Sequence, residues 1–273
     1  MKLIAIGDNV VDVYLERNEM YPGGNALNVA VLSRQFGAAE TAFIGIVGND
    51  TEGDHILESL KKENVDASRV RRAIGESGKA YVNLDEEGDR IFVKSNKGGI
   101  QSALKLRLTE EDYESIKRYD VLHTSIYSSL EDELPRLQKL IPLSYDLSNH
   151  YTDELLQKAC PYLTFAFVSG SDLTELEIDA LIAKIHTLGT ANVVVTRGSK
   201  GVIMSDGSNR YIQGIEEAEV IDTLGAGDSF IAGFLTSYFD QSSIEESLQF
   251  AALKAARTCE VMGAFGHGKS LMV

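Results

Sequence analysis

Residues 220–234 read VIDTLGAGDSFIAGF. Apolar Val220 and Ile221 suggest the end of a strand, Asp222 and Thr223 follow, and Gly225, Ala226 and Gly227 run directly into an apolar helix bearing Phe230, Ile231 and Phe234. Small residues at a helix start let an anion approach several backbone N–H groups, where the macrodipole also favours negative charge. Strand, glycine nest and helix in that order are one βα step of an α/β fold with an anion site at its turn. Asp228 sits one residue past the nest. An acid there can simply complement the helix dipole, or it can accept the proton of a hydroxyl that attacks a phosphoryl group held by the nest.

Outward from this junction, short β-branched or aromatic runs alternate with segments of helical period, the pattern of a doubly wound, mostly parallel sheet flanked by helices. Strands are expected at Leu3–Ile6, Thr41–Val47, Val121–Thr124, Leu143–Leu147, Phe165–Ser169 and Asn192–Thr196. Helices are expected at Asn25–Phe36, Glu52–Glu63, Glu131–Leu140, Asp153–Cys160 and Glu175–Leu188. Two stretches break the alternation. Residues 10–17 follow the first strand almost at once, and residues 79–95 (KAYVNLDEEGDRIFVKS) read as strand, EEGD turn, strand, an antiparallel hairpin. Small strands projecting from a parallel sheet suggest a lid that excludes water from a reaction at the strand ends. There is no repeat and no low-complexity linker, so lid and sheet are expected to form one domain over residues 1–273.

With 26 Lys and Arg against 41 Asp and Glu, the net charge is −15. That is the wrong sign for a surface that neutralises nucleic-acid phosphates, whereas a small phosphorylated ligand can be held by helix N-termini and a divalent metal. Cys160 and Cys259 are far apart and read as reduced thiols. The N-terminal apolar run is too short for a signal-peptide core, and no stretch approaches a membrane span, so a cytoplasmic enzyme is expected. The histidines at 55, 123, 150, 186 and 267 lack ligand spacing; His123, at a strand end, is read as packed or as lining a pocket. Ser229 lacks the GxSxG elbow of a hydrolase. Residues 263–270, GAFGHGKS, satisfy GxxxxGK[ST], but fewer than one turn of chain remains after them, so no helix is available to present its N-terminus to a phosphate.

DTLGAGD resembles the C-terminal signature of the ribokinase-like, PfkB family of sugar kinases. PGGNALNVA at 22–30 resembles that family's glycine-rich sugar motif, and IGDNVVD, the hairpin lid and TRGSKG at 196–201 occur in the family's order, so the resemblance covers nearly the whole chain. It implies an ATP-dependent kinase in which Asp228 is the catalytic base and Gly225, Ala226 and Gly227 form the anion hole. By the same resemblance Asp12, Gly24, Asn25 and Asn28 hold sugar hydroxyls, and Thr196, Gly198, Gly201 and Ala252 line the ATP site. The residues themselves agree, since carboxylates and amides at a strand end and a helix start give directional hydrogen bonds suited to a polyol, although Gly23–Gly24 could be only a turn and Asn25 only a cap. Where the family commonly has Asn-x-x-Glu, this chain has Ser169, Gly170, Ser171 and Asp172; Asp172 would order Mg²⁺-bound water. K⁺ beside the Asp222 loop and a homodimer joined through the lids are further implications.

GDNVVD, GGNALNVA and DTLGAGDSFIAGF are most similar to the branch of the family that phosphorylates fructoselysine at its 6-hydroxyl. Fructokinase, ribokinase and nucleoside kinase activities are the alternatives, and after them a non-catalytic sugar- or nucleotide-binding regulator. Asp8 is an acid additional to Asp12 near the sugar motif. It is expected either to pair with the protonated amine of a sugar-amine conjugate or to brace the loop after the first strand.

Overall fold

The computed structural model describes residues 1–84 and 90–271; the EEGD turn lies outside them. Its strands are, in chain order, β1 (Lys2–Ile6), β2 (Val10–Tyr14), β3 (Glu19–Gly23), β4 (Glu40–Ile44), β5 (Ile46–Gly48), β6 (Arg71–Ala73), β7 (Lys79–Leu84) and β8 (Arg90–Ser95). They continue with β9 (Val121–Ser125), β10 (Leu143–Asp146), β11 (Phe165–Ser169), β12 (Asn192–Thr196), β13 (Val202–Ser205), β14 (Arg210–Gln213) and β15 (Lys269–Ser270).

Eight of these form the main sheet in the order β14-β13-β12-β11-β10-β9-β1-β4. From β12 to β4 all neighbours are parallel, and β13 and β14 add antiparallel at one edge. Both faces of a parallel sheet are covered, which explains why β1 is apolar at consecutive positions. Leu3 and Ala5 join one core, shared with the helices Asn25–Gln35, Ala226–Phe239 and Ile244–Thr258. Ile4 and Ile6 join the other, shared with Tyr113, Leu134, Leu156 and Ile178. Reciprocal capping boxes start three helices, at Thr109/Asp112, Thr174/Glu177 and Ser243/Glu246.

A second sheet has the order β15-β3-β2-β7-β8. The expected hairpin is β7 antiparallel to β8, and the expected early strand is β2. However, β2 pairs parallel with β7, and β3 and β15 complete a sheet larger than the two segments suggested. Pro22 inside EMYPG hides β3 from a propensity reading.

Three other expectations shift. The helix expected at Glu131–Leu140 is one turn, Leu134–Leu137, because Pro135 has no N–H to bond back to residue 131. The strand expected over 41–47 divides into β4 and β5 at Gly45, where a Cβ would lie 2.9 Å from the Gly7 carbonyl. Val220 and Ile221 are not strand; this segment is tied down by Ile221 and Asp222 N–H groups donating to the Cys259 carbonyl at 2.8 and 3.2 Å.

Candidate active site

Because β1, β9, β10, β11 and β12 run parallel, their carboxyl ends share one edge of the sheet, where open α/β folds place ligands. Asp8 lies just past β1, and Ser125, Asp146, Ser169 and Thr196 end the other four. The helix Asn25–Gln35 starts over this edge. Its N-cap, Gly24, has φ +107° and a Cβ there would sit 2.7 Å from Asn9 Cα, so the close approach of helix and loop requires glycine.

Gly24 has no side chain to cap the helix, and Asp8 supplies the cap from outside. Its carboxylate accepts from the N–H of Asn25 at 2.7 Å and of Ala26 at 3.3 Å, and from the hydroxyls of Ser125 at 2.8 Å and Ser128 at 3.1 Å. Asp8 is 6% exposed. These four bonds are those of the bracing alternative; pairing with a substrate amine would have to share the same carboxylate. Asn25 is capped by Asp8 and is not itself the cap.

The asparagines of the first helical turn both reach Asp228. Asn25 Nδ2 donates to Asp228 Oδ1 at 2.7 Å and Asn28 Nδ2 to Oδ2 at 2.6 Å. Asn25 Nδ2 also donates to Asp146 Oδ2 at 2.9 Å, and the Ser148 N–H donates to Asp146 Oδ1 at 2.8 Å. Desolvation, together with the neighbouring Asp146 and Asp8 charges and against the asparagine hydrogen bonds, pushes Asp228 up to about 7. Burial, with Asp8 adding, pushes Asp146 up to about 6. A carboxylate that ionises near neutrality and is held by two amides is suited to accept a hydroxyl proton.

Asp228 lies in the first turn of the helix Ala226–Phe239, whose N-cap Gly225 adopts the left-handed conformation at φ +80° and provides no side-chain cap. A Cβ on Gly225 would meet Ala264 Cβ at 2.4 Å, whereas one on Gly227 would meet nothing within 4 Å. The first turn therefore opens onto free space at Gly227, with amides a helix cannot pair internally. Asp222 holds the loop leading here. It is fully buried, accepts from the N–H of Leu224 at 2.9 Å and of Gly263 at 2.9 Å, and accepts the Tyr14 hydroxyl.

Asp12 is central in β2, 2% exposed, paired in register with Tyr21 and Ala80, and its Oδ2 occupies the space a Cβ on Gly23 would need. It thus approaches the same Gly23–Gly24 turn from the second sheet. Thr196 ends β12 and pairs with Ser169, and its carbonyl accepts from Gly170 N–H at 2.8 Å. Gly198 and Gly201 both have positive φ in the β12–β13 turn, where a Cβ on Gly201 would lie 2.1 Å from the Gln213 carbonyl oxygen. Ala252 is buried in the helix Ile244–Thr258, and Asp172 is exposed in the turn after β11. Neither hydrogen-bonds into the Asp228 network among the described residues.

The GAFGHGKS segment is a strap. Gly263 and Gly268 pack on Tyr21, Lys269 and Ser270 pair with Met20 and Glu19, and no helix comes after them among the described residues. Sequence reading missed Asp146, a single acid at the end of a short strand, LSYD. It also missed Asn9, whose Nδ2 donates to the Ile46 carbonyl at 3.0 Å and to Gln101 Oε1 at 2.9 Å.

The sequence matches a family described as pfkB family carbohydrate kinase over residues 1–266. It is 55% identical to "Fructosamine kinase FrlD" of Bacillus subtilis over 268 residues, covering 98% of this chain and 94% of that one. It is 36% identical to "Fructoselysine 6-kinase" of Escherichia coli over 270 residues, covering 97% and 100%. Among solved structures, Arabidopsis thaliana ribokinase complexed with ribose and ATP superposes with a TM-score of 0.83 at 23% identity, covering 97% and 94%. Fructokinase with bound ATP from Xylella fastidiosa gives 0.81 at 21%, with the same coverage, so the ribokinase-like fold is shared. Match length and identity together place this chain in the pfkB family of carbohydrate kinases.

Proposed function

We propose that this kinase transfers the γ-phosphoryl group of ATP to the 6-hydroxyl of fructoselysine or a closely similar sugar-amine conjugate, in the cytoplasm. The observation that carries this reading is Asp228, poised near neutral pKa between two asparagine amides at the start of a helix whose first turn is open at Gly227. The substrate class rests on the names of the relatives at 55% and 36% identity.

In this mechanism Asp228 takes the proton of the attacking hydroxyl while the amides of Gly225, Ala226 and Gly227 stabilise charge on the moving phosphoryl group. Asp12, Gly24, Asn25 and Asn28 orient the sugar. The Asn28 side-chain carbonyl is buried with no hydrogen-bond partner, an acceptor suited to a sugar hydroxyl. Thr196, Gly198, Gly201 and Ala252 line the nucleotide site, and the second sheet acts as the lid that excludes competing water.

No group of three His, Cys, Asp or Glu among the described residues is arranged to hold a metal. Mg²⁺ would be carried mainly by substrate phosphates and water, with exposed Asp172 as an outer partner through water. Mg²⁺ there would neutralise phosphate charge. K⁺ beside the Asp222 loop would rely on backbone carbonyls, since the Asp222 carboxylate already has three donors.

ADP release over fructoselysine, fructose, ribose and nucleosides tests the assignment. Fructoselysine is expected to give the highest kcat/KM; a preference for fructose, ribose or a nucleoside would replace it with the corresponding activity. Absence of turnover on every acceptor would favour a binding regulator.

A further inference from the structure

His123 is central in β9 and fully buried. Its Nδ1 lies 2.9 Å from Ser144 Oγ on β10, and its Nε2 lies 3.0 Å from Asn25 Oδ1. The other end of the Asn25 amide, Nδ2, contacts Asp228 and Asp146 at 2.7 and 2.9 Å. Chemistry fixes the direction of every bond in this chain. Above about pH 7, where Asp228 and Asp146 are ionised and the base can act, the carboxylates only accept, so Nδ2 faces them and Oδ1 faces the ring. Nε2 must then carry the proton, and Nδ1 accepts from the Ser144 hydroxyl. Burial pushes His123 down to about 3, so the ring stays neutral with one donor and one acceptor.

An asparagine amide can turn over by 180° at little intrinsic cost. Turned over, Asn25 would direct its carbonyl oxygen at two carboxylates and its NH₂ at an N–H donor. With Nε2 protonated, His123 therefore favours the productive orientation, and the Ser144 hydroxyl, able to donate or to accept, satisfies Nδ1 in that tautomer.

We propose that His123 is a positioning residue for phosphoryl transfer, its Nε2–H holding the Asn25 amide with its NH₂ toward Asp228 and so aiming and stabilising the proton-accepting carboxylate. This rests on the reading of Asp228 as the base. The groups facing Asp228 are Asn25 and Asn28 from their helix, Asp146 from β10, Asp8 after β1, and Tyr127 from the turn Ile126–Ser128. The two other carboxylates disfavour its ionised form, and the asparagines favour it.

The test is kcat/KM against pH for the wild type, His123→Phe and His123→Gln. In His123→Phe the acid limb is expected to move up by about one pH unit, a loss of about tenfold well below the limb and little loss well above it. Glutamine can donate an amide N–H where Nε2–H did, so His123→Gln is expected to keep the limb within about 0.3 unit of wild type. A purely structural role lowers the rate equally at every pH. An unmoved limb in His123→Phe, or equal shifts in both variants, would overturn the proposal.

Nitrogen NMR of the wild type gives a readout that needs no variant to fold: a neutral Nε2–H ring is expected over about pH 7–9, where the carboxylates are ionised, and a titrating or Nδ1–H ring there sinks the idea. Failure of the base reading is distinguishable, because it would appear as retained turnover in Asp228→Asn whatever His123 does.

Discussion

Asp228 is surrounded by groups that pull its ionisation in opposite directions. Loss of water and the Asp146 and Asp8 charges favour the protonated acid, while Asn28 and Asn25 favour the carboxylate. With Asp228 lifted to about 7, kcat/KM is expected to fall on the acid side with a limb near that value; His123, near 3, cannot supply it. A limb below about pH 5, the range of an unperturbed carboxylate, would contradict this environment. Asp228→Asn preserves shape but cannot accept a proton, so turnover should drop at least about a hundredfold with ATP still bound. Retained turnover would remove Asp228 from the chemistry. The same shift acts on stability. In the folded chain Asp228 and Asp146 keep their protons to higher pH than in the unfolded chain, so between about pH 4 and 7 the folded state binds more protons and their contribution to stability falls as pH rises. Thermal denaturation across that window should show a shallower fall in Asp228→Asn, and an unchanged slope would count against the shift.

At the scale of elements, the helix Asn25–Gln35 connects the sugar motif to the sheet, and it is started by an acid seventeen residues upstream of its first amide. Asp8→Asn removes a buried charge that caps two N–H groups and accepts two hydroxyls, which should destabilise the fold by about 1–3 kcal/mol, or several degrees in Tm. With Asn25 and Asn28 holding the acceptor as proposed, kcat/KM should fall by similar factors for fructoselysine and fructose. A loss confined to fructoselysine would decide for the amine-pairing role. Local sequence cannot reveal such a cap: Gly24 looks like turn chemistry, and only the fold brings Asp8 beneath it. The strap at 263–270 is the converse case. Its motif is complete in sequence, yet a phosphate cradle also needs a helix behind it, and Lys269 instead pairs through its backbone with Met20. Lys269→Ala should leave ATP affinity within about threefold by calorimetry, since the motif ends in strand pairing with Met20 and Glu19 and not in a helix start; loss of ATP binding with an intact fold would reverse that judgement.

Across the whole molecule, the parallel sheet was legible because both its faces are buried, which makes strands such as β1 and β12 short apolar runs flanked by helical period. The second sheet was legible only in part. β3 contains Pro22, β15 is two residues long, and β2 joins β7 in parallel across more than sixty positions of sequence, none of which leaves a local pattern. What local pattern does show is the character of β8. It is the outermost strand of its sheet, and Ile91, Phe92 and Val93 are 50%, 60% and 48% exposed, so apolar side chains on both faces of an unpaired edge meet solvent. Such an edge templates pairing with another strand, and a second copy of this chain is the partner expected through the lid. Each copy carries a net charge of −15, so long-range repulsion opposes association while apolar burial drives it. Added salt screens the repulsion and should therefore tighten the dimer rather than loosen it. Sedimentation of the wild type at micromolar concentration is expected to give a dimer that persists at raised salt, and Phe92→Asp, which places a charge on the pairing edge, is expected to give a monomer. A monomeric wild type, or a dimer indifferent to Phe92→Asp, would move the interface away from this edge.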